Sequence, residues 1–178
     1  MRENIRFILN DEEISSPCPG GMVLLDFIRN HKKLVGTKIG CREGDCGACT
    51  VLAGSLEEGR MIYRAMTSCL MPLGNAAGKH IVTIEGLNRD TLTPVQQAIV
   101  DQGGSQCGFC TVGFVMALTG FCLNAHQNAY EKAIAAIDGN MCRCTGYKSL
   151  EKAASQIEKA VVAIDQDNPV PWPAVVVA

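Results

Sequence analysis

The chain has 178 residues, of which 47% are hydrophobic and 19% charged, with a formal net charge of −2. This composition excludes a disordered chain, and the near-balanced charge gives no electrostatic case for a nucleic-acid partner. Ten cysteines raise three readings: a disulfide framework, a metal site or redox catalysis. The opening Met1-Arg2-Glu3-Asn4-Ile5-Arg6 has neither a basic segment leading into an apolar stretch nor a twin arginine. The expected location is therefore cytoplasmic, where thiols stay reduced, and metal ligation becomes the leading account of the cysteines.

Taken in chain order, the first part reads as β-rich with short helices. Ile5, Phe7 and Leu9 alternate, Asn10 to Glu13 turns, and Ile14 begins a return strand. Met22 to Asn30 has helical spacing, with Leu24 and Ile28 on one face. Gly36 to Cys49 is too rich in glycine and cysteine for a regular element. Strands are expected over Thr50–Ala53, Met61–Arg64 and His80–Ile84. From Thr93 the pattern changes. Thr93-Pro94 is a capping hydroxyl followed by proline at the first helical position, and Val95 to Asp101 follows until Gly103-Gly104. A second helix is expected over Thr111–Leu123. A third runs from a capping-box-like Asn128/Glu131 through Ile137 and stops at Gly139. A fourth runs from Ser149 to about Asp165, with Leu150, Ala153, Ile157 and Val161 on one face.

Residues 102 to 130 contain no Asp, Glu, Lys or Arg. Gly108–Ala125 is at the lower limit of length for a membrane span, but it lacks basic flanks and carries a Cys-x-x-Cys. A buried or subunit-facing helix is the expectation, with no membrane span. The tail from Asp165 holds three prolines and reads as a linker or a partner-hugging arm.

Cys41, Cys46 and Cys49 form C-x4-C-x2-C, and Cys69 follows after 19 intervening residues. This is the spacing of a plant-type [2Fe–2S] site. Four thiolates must converge on a small cluster, so the loop must wrap tightly with its N–H groups turned inward. Gly40, Gly44 and Gly47 permit such conformations. A structural zinc site is the alternative, although zinc ligands usually come as two short knuckles. The second set is Cys107-Gly108-Phe109-Cys110, then Cys142-Arg143-Cys144 after 31 intervening residues. On its own it is compatible with zinc or a redox pair. Both of its halves fall at helix boundaries, where free N–H groups stabilise thiolates.

Together the two sets are specific. Gly36 through Val51, Thr93-Pro94-Val95-Gln96, Gln106-Cys107-Gly108-Phe109-Cys110-Thr111 and Gly139-Asn140-Met141-Cys142-Arg143-Cys144-Thr145-Gly146-Tyr147 resemble the iron–sulfur subunit or domain of the molybdenum hydroxylases, the xanthine dehydrogenase and aldehyde oxidoreductase family. The resemblance covers roughly residues 3 to 160. It implies an α+β chain: a β-grasp, plant-ferredoxin-like domain (1–86), a four-helix domain (87–165) and a Pro-rich tail or linker (166–178). It implies that Cys41, Cys46, Cys49 and Cys69 hold the cluster distal to molybdenum, and that Cys107, Cys110, Cys142 and Cys144 hold the proximal one. Gln106 would hydrogen-bond the molybdopterin cofactor and Cys144 would also touch it. The implied partners are a large molybdopterin-binding subunit or domain and an FAD-binding one. The implied function is electron relay within a complex that oxidises a purine, N-heterocycle or aldehyde. The chain itself would be a carrier with no catalytic residue. A free ferredoxin-type shuttle and a zinc-stapled binding module stand as the alternatives.

One position departs from the family pattern: Val112 stands where proline usually follows Cys-Gly-Phe-Cys-Thr. Cys18 and Cys122 match no ligand position, and Cys122 reads as a small buried hydrophobe. His31, His80 and His126 show no ligand pattern. Residues 94 to 147 hold only five charged residues, which raises the expectation that a partner covers much of this surface.

Overall fold

The computed structural model describes residues 4–88, 90–124 and 132–167. Alternating apolar residues at the start form a hairpin of β1 (Ile5–Leu9) and β2 (Glu12–Ser16), with Phe7 paired to Ile14. Asn10 takes a left-handed φ of 54° at the turn, a conformation asparagine tolerates better than most residues. Phe7, Leu9 and Ile14 point inward while Ile8 between them is exposed. The chain then forms α1 (Leu24–Asp26), which widens into a π-helical turn over Phe27–His31. Leu24, Leu25, Phe27 and Ile28 are all buried.

After the cysteine-rich loop, β3 (Thr50–Glu57) and β4 (Arg60–Thr67) form a long hairpin. Its two turn residues, Glu58 and Gly59, have φ of 49° and 79°. Two left-handed residues match the right-handed twist of a tight hairpin. β5 (His80–Val82) lies parallel to β1 and antiparallel to β3, so the sheet order is β2-β1-β5-β3-β4. Each face of this mixed sheet has its own core. Val51, Ala53 and Ile81 pack with Phe7, Leu9, Phe27 and Ile28 on one side. Leu52, Tyr63 and Val82 pack with the helical half on the other.

That half begins with α2 (Pro94–Asp101), where Thr93 and Gln96 form a complete capping box. Gly103, at φ 63°, ends it. α3 (Thr111–Leu123) is buried without a break from Gly113 to Cys122. It has no solvent face because the sheet lies on one side and α2 and α5 on the other. α4 is a single turn, Ala133–Ala136, and α5 runs Lys148–Asp167. Leu150, Ala153, Ala154, Ile157 and Val161 form the buried stripe of α5. Phe114 and Leu118 are fully buried at the centre. Side chains of this size each contribute ~1.5–3 kcal/mol when fully buried.

The arrangement is α+β with a ferredoxin-like sheet, as expected. Several boundaries differ from the sequence reading. The expected strands at Thr50–Ala53 and Met61–Arg64 are each eight residues long, because hairpin pairing carries them past apolar alternation into polar sequence. The third strand ends at Val82, and Ile84–Leu87 is a 3₁₀ turn. α5 begins one residue early, at Lys148. The expected cap at Asn128/Glu131, His126 and the tail from 168 lie outside the described residues. The charge-poor run is largely covered from within the chain, since α3 is wrapped by the sheet and its neighbouring helices. What remains exposed of it includes Phe109 and Met141.

Candidate metal centres

The first cysteine loop is shaped by left-handed residues: Arg42 (φ 61°), Gly44 (φ 85°) and Gly47 (φ 67°). A Cβ on Gly40 would sit 2.6 Å from Cys46 Sγ, so only glycine lets the backbone approach that thiol. Arg42 reaches back to α1 and donates to both Asp26 carboxylate oxygens, at 3.2 and 2.8 Å. Its hydrogen bonds hold the Asp26 carboxyl below the ordinary carboxylate range, against the opposing effect of burial. Gly36 N donates to Glu85 Oε1 at 2.7 Å, and Arg29 donates to the Val35 and Thr37 carbonyls. The start of the loop is thus tied to the π-helical turn and to the 3₁₀ turn after β5, and its middle to α1.

The four thiols of this set fall into two neighbouring pairs. Cys41 interacts with Cys46, and the Glu43 and Cys46 amides bring its thiol down to about 6. Glu43 N lies 3.3 Å from Cys41 Sγ. Cys69 is pushed up to about 11 by burial and by the adjacent Cys49. Cys49 and Cys69 pack inside with Leu25 and are 2% and 6% exposed, while Cys41 and Cys46 sit nearer the surface. Ser68 Oγ donates to the Cys49 carbonyl at 2.7 Å.

The second set is also paired. Cys107 and Cys144 sulfurs are 3.7 Å apart and exposed. The Cys144 thiol is raised by its neighbour Cys107. Cys110 sits at the N-cap of α3, raised to about 12 by burial and by Cys142 beside it. Cys142 is buried; burial opposes its ionisation, but hydrogen bonds from the Thr145 hydroxyl and amide outweigh this and lower its thiol. Those bonds span 3.1 Å from Oγ1 and 3.5 Å from N.

A sulfur–sulfur separation of 3.7 Å is about the edge of a tetrahedron with metal–sulfur bonds of ~2.3 Å. In a single-ion zinc site all four sulfurs would stand at about that mutual distance. Among the described residues no three such ligands converge on one ion. Two adjacent pairs per quartet instead suit a binuclear cluster, one pair to each iron. The donor chemistry agrees: eight thiolate sources and no His, Asp or Glu among them.

The two loops touch. Met141 N donates to the Cys46 carbonyl at 3.0 Å. Asn140 Nδ2 donates to the Gly47 carbonyl at 3.3 Å. A Cβ on Gly113, in the first turn of α3, would overlap that same carbonyl. Phe109 lies against Gly40. Sequence reasoning missed Asn140, Met141, Thr145, Tyr147 and Arg42 as working residues, although four of them stand inside the quoted Gly139–Tyr147 motif.

Gln106 is exposed beside Cys107, as are Phe109 and Met141. Cys122 is buried in α3, and burial raises its thiol to about 12. Cys18 Sγ lies 3.9 Å from His31 Nδ1, and His31 stacks on Phe27. His80 is buried, facing Tyr63 Oη at 2.8 Å and the Asn10 carbonyl at 2.9 Å. Val112 stands in the first turn of α3 and packs partly on the core. Among the described residues no helix is long and apolar enough to cross a membrane.

Two family models match this chain. Residues 7–74 match a 2Fe-2S iron–sulfur cluster binding domain, and residues 83–155 match a [2Fe-2S] binding domain. The fold and its thiol pairs therefore define an iron–sulfur protein with two [2Fe–2S]-binding domains. Xanthine dehydrogenase of Blastobotrys adeninivorans is 49% identical over 146 residues, covering 80% of this chain and 10% of that protein. Xanthine dehydrogenase 1 of Arabidopsis thaliana is 41% identical over 137 residues, covering 74% of this chain and 10% of that protein. Among solved structures, quinoline 2-oxidoreductase of Pseudomonas putida 86 is 31% identical with a TM-score of 0.73, covering 90% of this chain and 96% of that one. Aldehyde oxidoreductase of Desulfovibrio gigas is 31% identical with a TM-score of 0.73, covering 100% of this chain and 18% of that one. The chain belongs to the iron–sulfur subunit and domain family of the molybdenum hydroxylases. It spans about a tenth of the length of the curated relatives it matches.

Proposed function

We propose that this chain is the electron-transfer unit of a molybdenum hydroxylase, with Cys41, Cys46, Cys49 and Cys69 ligating one [2Fe–2S] cluster and Cys107, Cys110, Cys142 and Cys144 the other. Each cluster, when bound, supplies a one-electron carrier. The chain's residues provide thiolates, hydrogen bonds to sulfur and a shell that excludes water. The observation that carries the reading is the direct link between the loops. The Cys46 carbonyl accepts the Met141 N–H at 3.0 Å, and Met141 is covalently bonded to Cys142. One hydrogen bond and one residue thus join a ligand of each quartet, a short route for an electron.

The exposed surface of Gln106, Cys107, Phe109 and Cys144 is the side we assign to a molybdopterin cofactor held by a partner subunit or domain, with Gln106 and Cys144 in contact with it. Electrons pass inward from there and leave by the first cluster to FAD or another acceptor in a partner. The units are residues 1–86 and 87–165, the latter a four-helix domain of which α4 is the shortest member, and 166–178 a tail or linker. The whole complex oxidises a purine, an N-heterocycle or an aldehyde in the cytoplasm. The names of the relatives support that range.

The test is an iron and acid-labile sulfide assay with low-temperature EPR on the reduced protein. The expected result is about four irons per chain for two binuclear clusters. Two distinct one-electron signals are expected, the first abolished by Cys49→Ser and the second by Cys110→Ser. A colourless protein with stoichiometric zinc would overturn the assignment.

A further inference from the structure

We infer that the Thr145 hydroxyl tunes the reduction potential of the second cluster, as a hydrogen-bond donor to the Cys142 sulfur held in place by Tyr147. This rests on the reading above that Cys142 is a cluster ligand.

Thr145 Oγ1 lies 3.1 Å from Cys142 Sγ and its amide 3.5 Å from the same atom. A hydroxyl has one proton and can point it in several directions. Here the direction is constrained. The Tyr147 amide donates to Thr145 Oγ1 at 3.3 Å, so the oxygen is already serving as an acceptor on that side. Its own proton is then best used on the sulfur. Tyr147 in turn is fixed by the loop: Cys142 N donates to Tyr147 Oη at 2.9 Å. Gly146 and Tyr147 both take left-handed φ, 64° and 68°, which folds the segment back on Cys142. A tyrosine at positive φ is strained, and the ring's edge-on contact with Phe114 helps to hold it there. Cys142, Tyr147 and Thr145 therefore close a ring of three hydrogen bonds that ends on sulfur.

The first quartet lacks this device in the corresponding serine. Ser68 Oγ, next to Cys69, donates to the Cys49 carbonyl and not to a sulfur. Cys41 accepts the Glu43 amide at 3.3 Å, a bond no side-chain substitution removes. Cys142 is buried at 5% exposure, where a hydrogen bond acts more strongly than in water. The reduced cluster carries one more negative charge than the oxidised one. A donor aimed at a ligand sulfur stabilises the reduced form more, and so raises the potential.

The experiment is an EPR-monitored dithionite titration of the full chain purified with its partners. In Thr145→Val the second signal's midpoint is expected to fall, by about a tenfold shift in the reduction equilibrium, ~59 mV for one electron. The first signal should stay unmoved, and Thr145→Ser should restore the wild-type value. If Thr145→Val loses its second cluster, Thr145→Ala gives the same reading. Loss of the second cluster in both, with retention in Thr145→Ser, would overturn the tuning role, because the hydroxyl would then be holding the cluster and not setting its potential. Unmoved midpoints, equal movement of both signals, or a serine variant that behaves like valine would overturn it. Failure of the underlying ligand reading looks different, since the wild-type protein would then show no second signal at all.

Discussion

The two cysteine loops solve one problem with unlike materials. The first is an irregular loop leading into β3, bent by Arg42, Gly44 and Gly47 in left-handed conformations and pinned by Arg42 to α1. The second is assembled from a helix start and a turn between two helices, with Cys110 at the N-cap of α3. Yet both arrive at an inner, more buried pair and an outer pair: Cys49/Cys69 and Cys41/Cys46 in one, Cys110/Cys142 and Cys107/Cys144 in the other. The difference lies in what surrounds the sulfurs. The inner pair of the first loop is set among apolar side chains, whereas the second receives a side-chain hydroxyl. Pairing is what a binuclear site demands, and the backbone that supplies it is interchangeable.

The two loops also differ in how much they depend on each other, and substitutions expose this. The largest effect is expected from Gly47→Ala. Its φ of 67° is costly for alanine, and the new Cβ would overlap Asn140 and lie 2.6 Å from the Gly139 carbonyl. Left-handed strain and overpacking together predict a loss of about 3 kcal/mol, read by denaturant unfolding of the loaded protein. Because the clash falls on the second loop, the second EPR signal should broaden along with the first. A change confined to the first would show the loops to be independent.

Arg42→Ala sharpens the contrast from the other side. The ion pair with Asp26 is partly exposed and its stabilisation is small. Asp26 titrates below its ordinary 3.8 in the folded chain. The pair's contribution is therefore present at neutral pH and is lost as pH falls through the folded value. Wild type and variant should differ slightly in thermal midpoint at pH 7 and converge in acid, with the second signal unchanged.

The smallest effect is expected from Val112→Pro, which places the usual family residue in the first turn of α3. The N–H removed has no intrahelical partner, and proline restricts the unfolded chain. The valine's partial packing on the core is lost in exchange. A stability change below about 1 kcal/mol is expected, with both signals retained.

How much of this could be read beforehand follows the distance along the chain. C-x4-C-x2-C with its glycines is a local constraint, so the first loop could be read as a candidate cluster site without a structure. The helix start at Thr93-Pro94 and the bounds of α3 were legible for the same reason, whereas the box that Gln96 completes was not read. The uninterrupted apolarity of α3 announced its burial but not its cover. A buried helix shows no polar face to orient it, and the sheet that covers it is formed some fifty residues earlier. The charge-poor run therefore suggested a partner where much of the covering is the chain's own. Thr145 and Tyr147 sat in a recognised motif, yet their roles depend on a hydroxyl proton's direction and on two left-handed residues.

By itself the sequence determined the spacing of the thiols and the class of fold, because short-range stereochemistry and hydrophobic periodicity are written residue by residue. The tertiary structure alone decided which thiols are neighbours, which face is exposed, and that Cys46 meets Met141 across 94 intervening residues. Those are matters of packing between distant segments, where a single backbone hydrogen bond and the absence of a Cβ at Gly47 and Gly113 bring two cysteine loops into contact.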